Sequence, residues 1–305
     1  MEQTSGDHFS PLDDAREAVD RVNARAGRNL PAAIGVGLLL IAWLVLSLLY
    51  FVPGFVVLVV VCIVFSTIEL HRALEMAGRG RSTIVPVAVG GALTAIGAYI
   101  AAGRSAAGAT AEDALFLVMA PMALTSVVAL GWRLRRGPVD YVKDVSASLL
   151  AIAYVTLLGG FLPLAVGESH GNLRIAAMIL CVVASDVGGY AAGVTLGKHK
   201  LAPVISPKKT WEGVGGSVVL ALVVGWVTVD LLLGGPLWAG LVFGLAMVLV
   251  GTVGDLVESM VKRDLGIKDM SSFLPGHGGF LDRIDSILYA APVGWLLLHV
   301  LVPHA

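Results

Sequence analysis

Three aspartates in the C-terminal quarter of the chain carry the most legible chemistry. Asp255 lies in Gly254-Asp255-Leu256-Val257-Glu258-Ser259, and Asp282 and Asp285 lie in Phe280-Leu281-Asp282-Arg283-Ile284-Asp285. The i, i+3 spacing of the last two puts both carboxylates on one helix face. Hard cations such as Mg²⁺ take oxygen ligands, typically one or two carboxylates plus the phosphates of a substrate. Lys262, Arg263, Lys268 and Arg283 stand beside the acids and suit phosphate oxygens that the metal leaves uncovered. A plainer reading stays open: acids near a helix N-terminus are favoured by the dipole by about 0.3–1 kcal/mol, and they could simply pair with Lys262 or Arg283. Gly276, Gly278 and Gly279 allow close backbone approach to a ligand, although Pro275-Gly276 is equally an ordinary turn. His277, between these glycines and close to the acids, is a candidate catalytic group.

A second polar segment precedes it. Asp186 falls near the middle of an apolar run, where a charge costs about 2.5–3.5 kcal/mol on insertion scales and faces a cavity or a partner. Gly188, Gly189 and Gly193 after it read as small residues for tight helix packing. Ser206-Pro207-Lys208-Lys209-Thr210 leads into the next apolar run. Thr210 is placed to cap that helix, and a helix N-terminus with lysines beside it suits a phosphate. Lys208 and Lys209 could equally be anchors that set membrane orientation.

The elements that must position these groups are membrane helices. Hydrophobic residues make up 57% of the 305, charged residues 14%, and mean hydropathy is +0.85. Soluble domains carry about 25% charged residues. The composition excludes a disordered chain, a collagen and a disulfide scaffold. A net charge of −1 gives no ground for nucleic-acid binding. Cys62 and Cys181 sit in apolar runs as packing residues. A bilayer core needs about 20 apolar residues per helix. Such runs occur near 31–50, 53–70, 83–103, 114–132, 145–166, 175–196, 213–234, 237–257 and 284–301. They are continuous rather than alternating, which favours helices over a barrel.

The fold class expected is therefore an all-α polytopic membrane protein of about nine transmembrane helices. With the N-terminus in the cytoplasm and the C-terminus outside, nineteen of the 21 basic residues fall on cytoplasmic segments and only Arg104 and Arg174 fall opposite. Three regions follow: a polar cytoplasmic tail over 1–30, spans one to five over 31–170, and a catalytic region over 171–305 with cytoplasmic loops 197–212 and 258–283. Glu69 and Asp230, at opposite membrane edges, read as structural or interfacial. Arg133, Arg135 and Arg136 suit anionic headgroups, and the tryptophans suit packing or the membrane interface.

Ser259-x-Val261-Lys262-Arg263, Lys268-Asp269-x-Ser271 and Leu274-Pro275-x-His277-Gly278-Gly279-Phe280-x-Asp282-Arg283-Ile284-Asp285 together resemble the signature of the phosphatidate cytidylyltransferases, and every specified position is met. Gly197-Lys198-His199-Lys200-Leu201-Ala202-Pro203 and Ser206-Pro207-x-Lys209-Thr210-Trp211-x-Gly213 are similar to that family too. The resemblance covers about residues 180–286. Val187 departs from it, standing where members commonly carry Ser or Thr. The resemblance implies the reaction CTP + phosphatidate → CDP-diacylglycerol + pyrophosphate. It implies a multi-pass enzyme of a bacterial inner membrane with its site on the cytoplasmic side, dependence on Mg²⁺, a second monovalent cation such as K⁺, and a homodimer. It places the metal on Asp255, Asp282 and Asp285; the residues themselves add Asp186, lining the same cavity, and His277, otherwise an ordinary loop histidine, to the catalytic set. Ser206, Lys208, Lys209, Thr210, Lys262, Arg263, Lys268, Gly278, Gly279 and Arg283 would then hold the phosphates of CTP or phosphatidate. Rival readings are a CTP-dependent enzyme on another lipid (an ether-lipid cytidylyltransferase or a polyprenol kinase) and a cation transporter using Asp186, Asp255 and Asp282.

Overall fold

The computed structural model of the chain describes residues 30–106, 111–274 and 278–302. The expected tail, apart from Leu30, and His277 with Pro275 and Gly276 lie outside the described residues. The helices are α1 (Leu30–Tyr50), α2 (Val52–Met76), α3 (Ile84–Ala106), α4 (Ala111–Arg133), α5 (Tyr141–Val166), α6 (Gly171–Leu196), α7 (Trp211–Leu232), α8 (Leu237–Leu265) and α9 (Leu281–Leu301). Helices α5 and α7 each contain a π-helical turn, at Ile152–Leu157 and Val227–Leu232. Among the described residues, eight helices, α2 to α9, include stretches long and apolar enough to cross a membrane, and α1 adds a shorter apolar stretch, Ile34–Tyr50. The chain is an all-α polytopic membrane protein. Apolar side chains such as Leu38, Val127 and Val300 stay exposed on its outer surface, as lipid-facing residues must.

Two elements differ from the sequence expectation in ways that matter to the site. Helix α8 does not stop near 257 but runs on to Leu265. Polar residues continue it because Glu258 and Lys262, one turn apart, form an ion pair along its face. Gly266 ends it in the left-handed conformation at φ +71°, and the Ile267 N–H donates to the Lys262 carbonyl at 2.9 Å. The second difference is a short antiparallel hairpin, β1 (Lys200–Ala202) and β2 (Ser206–Thr210), within the expected loop 197–212. Lys200 lies opposite Thr210, and Ala202 opposite Ser206.

Small residues set the spacing of α6, α7 and α8. A Cβ on Gly188 of α6 would stand 2.4 Å from the Gly216 carbonyl oxygen of α7, and one on Gly189 would stand 2.6 Å from Ser217 Oγ. A Cβ on Gly225 of α7 would stand 2.5 Å from the Gly240 carbonyl oxygen of α8. Backbone therefore meets backbone along this seam, the packing expected of the Gly188–Gly193 run. The core beneath it includes Ile175, Met178, Phe243, Met247, Leu281, Leu288 and Leu298. Cys62 and Cys181 are free, and Cys181 is buried.

Two arginines depart from their expected surface roles. Arg133 is buried: its Nε donates to Asp144 Oδ2 at 2.5 Å and its terminal nitrogens donate to the Gly137 and Val139 carbonyls. It ties α4 to α5 instead of facing headgroups. Arg174, expected in an outer loop, is buried in the first turn of α6 and donates to the Leu298 carbonyl at 2.7 Å. Asp230 accepts from Trp226 Nε1 at 3.3 Å, one helical turn away.

Candidate active site

Helix α8 carries Asp255, Glu258 and Lys262 at intervals of three and four, so all three project from one face. Helix α9 packs against that face. A Cβ on Gly254 would stand 2.9 Å from the Asp285 carbonyl oxygen, so the two backbones nearly touch beside the acids. The result is a convergence of three carboxylates, Asp255, Glu258 and Asp285, whose ligand-capable oxygens lie within 4.8 Å of one another. Glu258 is fully buried, and its carboxylate lies against that of Asp282. Its ion-pair partner is the Lys262 ammonium.

Asp282 takes a different position from the one expected. Its carboxylate accepts from Lys262 Nζ at 2.9 Å, from the Met270 N–H at 2.9 Å and from the Gly279 N–H at 2.8 Å. The expected metal trio was Asp255, Asp282 and Asp285; the trio whose oxygens converge is Asp255, Glu258 and Asp285, and Asp282 lies directly against Glu258, sharing Lys262 with it. The physical reason lies at the start of α9. Asp282 sits in its first turn and turns back to the preceding loop, whereas Asp285, nearly one turn later, faces α8. Sequence reasoning passed over Glu258 because it ended the helix before it. The Asp255–Glu258–Lys262 spacing was the available signal.

The hairpin delivers a second cation. Along β2, Lys208 is exposed while Lys209, on the other strand face, is partly buried and pairs with Asp255. Thr210 is buried and caps α7: its Oγ1 accepts from the Gly213 N–H at 3.1 Å. That is the cap read from the sequence, and because the hydroxyl oxygen accepts in it, the hydroxyl proton stays free to be donated to a phosphate. Ser206 is half-buried at the hairpin's start. Glu212 braces the hairpin from α7, with the His199 ring nitrogen Nδ1 at 2.6 Å from its carboxylate. Arg263 donates to the Ile205 carbonyl at 3.4 Å, and Arg263, Lys268 and Arg283 are otherwise exposed around the site's rim.

Asp186 is exposed on α6, and the charges acting on it are those of Lys209 and Asp255. Val187 and Tyr190 beside it are exposed as well. The site therefore has an open flank at α6, well inside a membrane-spanning segment. Gly278 and Gly279 close on carboxylates of the chain itself. Gly278, at φ +83°, leaves only 3.1 Å between an added Cβ and Asp282 Oδ2, and a Cβ on Gly279 would stand 2.7 Å from Glu69 Oε2.

Five carboxylates and two ammonium groups meet in this volume: Asp186, Asp255, Glu258, Asp282 and Asp285 against Lys209 and Lys262. Like charges this close, one of them fully buried, call for further positive charge. A donor set of three converging carboxylates, all oxygen, fits a hard divalent cation, and not a soft metal. Cationic side chains on the rim fit anionic ligands that approach such a cation.

The Cytidylyltransferase family profile matches residues 31–301. The chain is 38% identical to a phosphatidate cytidylyltransferase of Mycobacterium leprae over 99% of its own length and all of the relative's. It is 38% identical to one from Mycobacterium bovis over 95% of each chain. It is 33% identical to one from Staphylococcus saprophyticus over 83% of this chain and 96% of that one.

Proposed function

The chain belongs to the cytidylyltransferase family, and on that premise we propose how its site works as a phosphatidate cytidylyltransferase, CTP + phosphatidate → CDP-diacylglycerol + pyrophosphate. A non-bridging oxygen of the lipid phosphate attacks the α-phosphorus of CTP. A new P–O bond joins the two phosphates, and the bond from the α-phosphorus to the β-phosphate oxygen breaks as pyrophosphate departs. Such a transfer needs positioning and charge neutralisation more than covalent help. Asp255, Glu258 and Asp285 would hold Mg²⁺, which when bound polarises the α-phosphate and offsets the charge of the leaving pyrophosphate. A monovalent cation such as K⁺ belongs to the same proposal, supported by the excess of carboxylates over ammonium groups.

The chain's own residues supply the rest. Lys262 lies between Glu258 and Asp282 and fixes the orientation of both. Lys209 reaches in from the hairpin to Asp255, the position from which an ammonium meets an incoming triphosphate. Lys208, Arg263, Lys268 and Arg283 gather the two anionic substrates at the rim. The open flank beside Asp186 lets the acyl chains stay in lipid while the phosphate reaches the carboxylates. Placement of the site on the cytoplasmic face of the plasma membrane is supported by the distribution of basic residues. Assembly as a homodimer is part of the same reading.

The single observation that carries this reading is the convergence of Asp255, Glu258 and Asp285 with Lys209 and Lys262 at the family's signature segment. Purified protein in detergent, given CTP, Mg²⁺ and phosphatidate, tests it. Pyrophosphate release equal to CDP-diacylglycerol formed, and abolished by EDTA, is the expected result. Release of CDP would mark a lipid kinase, and absence of CTP turnover would overturn the enzyme reading.

A further inference from the structure

Helix α9, which carries Asp282 and Asp285, begins without a cap of its own. Phe280, at its N-cap position, makes no side-chain cap, and the first N–H groups of a helix have no intrahelical acceptor. The acceptor comes from the other end of the sequence. Glu69 of α2 is buried, and its Oε1 accepts from the Phe280 N–H at 2.9 Å and from Ser271 Oγ at 2.6 Å. Its Oε2 accepts from the Leu281 N–H at 2.9 Å. No Lys or Arg pairs with Glu69 among the described residues, so its charge is met by these donors and by the positive end of the α9 dipole. Phe65, one turn earlier on α2, stacks on Phe280 with ring centroids 5.1 Å apart and meets Phe273 at 4.6 Å. Gly279 is fitted to the same carboxylate, since a Cβ there would stand 2.7–2.9 Å from it.

We infer that Glu69 is a positioning residue for the cytidylyl transfer: from the N-terminal half of the chain it holds Ser271 and the first turn of α9, so that Asp285 faces Asp255 and Glu258. The inference rests on the reaction proposed above. It differs from it in naming a residue outside the signature that touches neither the carboxylate trio nor a substrate. A buried acid that caps the first turn of a helix on another segment sets the angle and depth at which that helix presents its own acids. A misplacement of about 1 Å in such a site costs on the order of 100-fold in rate.

Four variants test it: Glu69→Ala, Glu69→Gln, Gly279→Ala and the double change Glu69→Ala with Gly279→Ala. The readouts are amide exchange at Phe280 and Leu281, and kcat separated from KM. In Glu69→Ala both amides are expected to exchange about 10- to 150-fold faster, the factor for losing a hydrogen bond to a charged group. Its kcat is expected to fall about 10- to 100-fold, by more than KM rises. Gly279→Ala alone lowers kcat about tenfold or more, yet adds less than about twofold in the Glu69→Ala background, where the atoms it would strike are gone. Glu69→Gln keeps the volume and one acceptor oxygen, so one of the two amides keeps its protection, and it carries the test if Glu69→Ala does not accumulate. Protection of both amides in either Glu69 variant, unchanged kcat in Glu69→Ala, or additive losses in the double variant would each overturn the inference. Failure of the reaction itself would show as no CDP-diacylglycerol from the wild type. Amide exchange would still report on Glu69 in that case.

Discussion

Replacing Glu258 with Gln separates a metal-holding carboxylate from a structural one, because the two roles give opposite signs. Glu258 is fully buried, pairs with Lys262, and converges with Asp255 and Asp285 within 4.8 Å. Without a cation, removing its charge relieves repulsion among three acids. The change also breaks the pair with Lys262, which ordinarily costs about 3–5 kcal/mol when it strands a buried charge. Here Lys262 keeps Asp282 at 2.9 Å, so no charge is stranded. The unfolding temperature in EDTA should therefore change by less than about 2 °C, the shift for roughly 1 kcal/mol in a chain of this size. With Mg²⁺ the sign reverses. At a concentration 100 times its dissociation constant, a ligand stabilises the wild type by about 2.7 kcal/mol. Loss of one charged ligand contact, at about 1.5–3 kcal/mol, weakens binding roughly 10- to 150-fold. At 100-fold the stabilisation falls to about 0.4 kcal/mol, so the Mg²⁺-induced rise in unfolding temperature shrinks from roughly 5 °C to about 1 °C. Thermal unfolding in detergent, with EDTA and across a Mg²⁺ titration, measures both quantities, and turnover should fall in parallel. A full Mg²⁺ shift with near wild-type turnover would remove Glu258 from the metal site. A large loss of stability in EDTA would make it a structural residue.

Other outcomes follow from the hairpin and the topology. Lys209→Gln should lower kcat/KM for CTP about 10- to 150-fold, whereas Lys208→Gln, on the exposed strand face, should change it by much less; equal losses would mean that both lysines grip substrate, and no loss in either would return them to orientation anchors. Thr210→Ala should destabilise the protein by about 1 kcal/mol through loss of the α7 cap and should weaken CTP use by loosening Lys209, read by thermal unfolding and by KM; unchanged stability would refute the capping role. Cysteines placed at positions 170 and 235 should label from outside intact cells, and those at 80 and 200 only from the cytoplasm; reversal at either pair would put the site on the wrong face.

The membrane fold was legible because hydropathy is a long-range signal that survives errors of several residues at each edge. The site was legible only in part, and the failures share a cause. Asp255, Asp285, Lys209 and Lys262 stand out by type and spacing, but Glu258 was hidden by a helix end placed too early. Apolar character stops near 257, and the helix does not, because a polar helix emerging from a bilayer needs only its own hydrogen bonds and the Glu258–Lys262 pair to continue. Asp282 was grouped with Asp285 because i, i+3 spacing defines a face, yet the first turn of a helix also borders the preceding loop, and there Asp282 finds Met270 and Gly279. The glycines at 278 and 279 read as a cradle for a ligand because close approach leaves the same sequence trace whether the approaching group is a phosphate or the chain's own carboxylate. Glu69 lies about two hundred residues from Ser271 and the start of α9, and no local pattern could pair them. Its only signal was an acid at the edge of an apolar span.

The open flank at α6 changes how concentration must be counted for this enzyme. Asp186, Val187 and Tyr190 are exposed within a membrane-spanning segment, and on the proposed reading the lipid substrate reaches the site there by diffusing in the plane of the bilayer. CTP arrives from a volume and is counted in moles per litre; phosphatidate arrives from a surface and is counted as a mole fraction. Inert lipid or detergent added at constant bulk phosphatidate dilutes the second substrate without touching the first. The flux through the reaction then follows membrane composition directly. Below saturation in phosphatidate, enriching the leaflet in that lipid would then raise the rate with no change in enzyme or nucleotide.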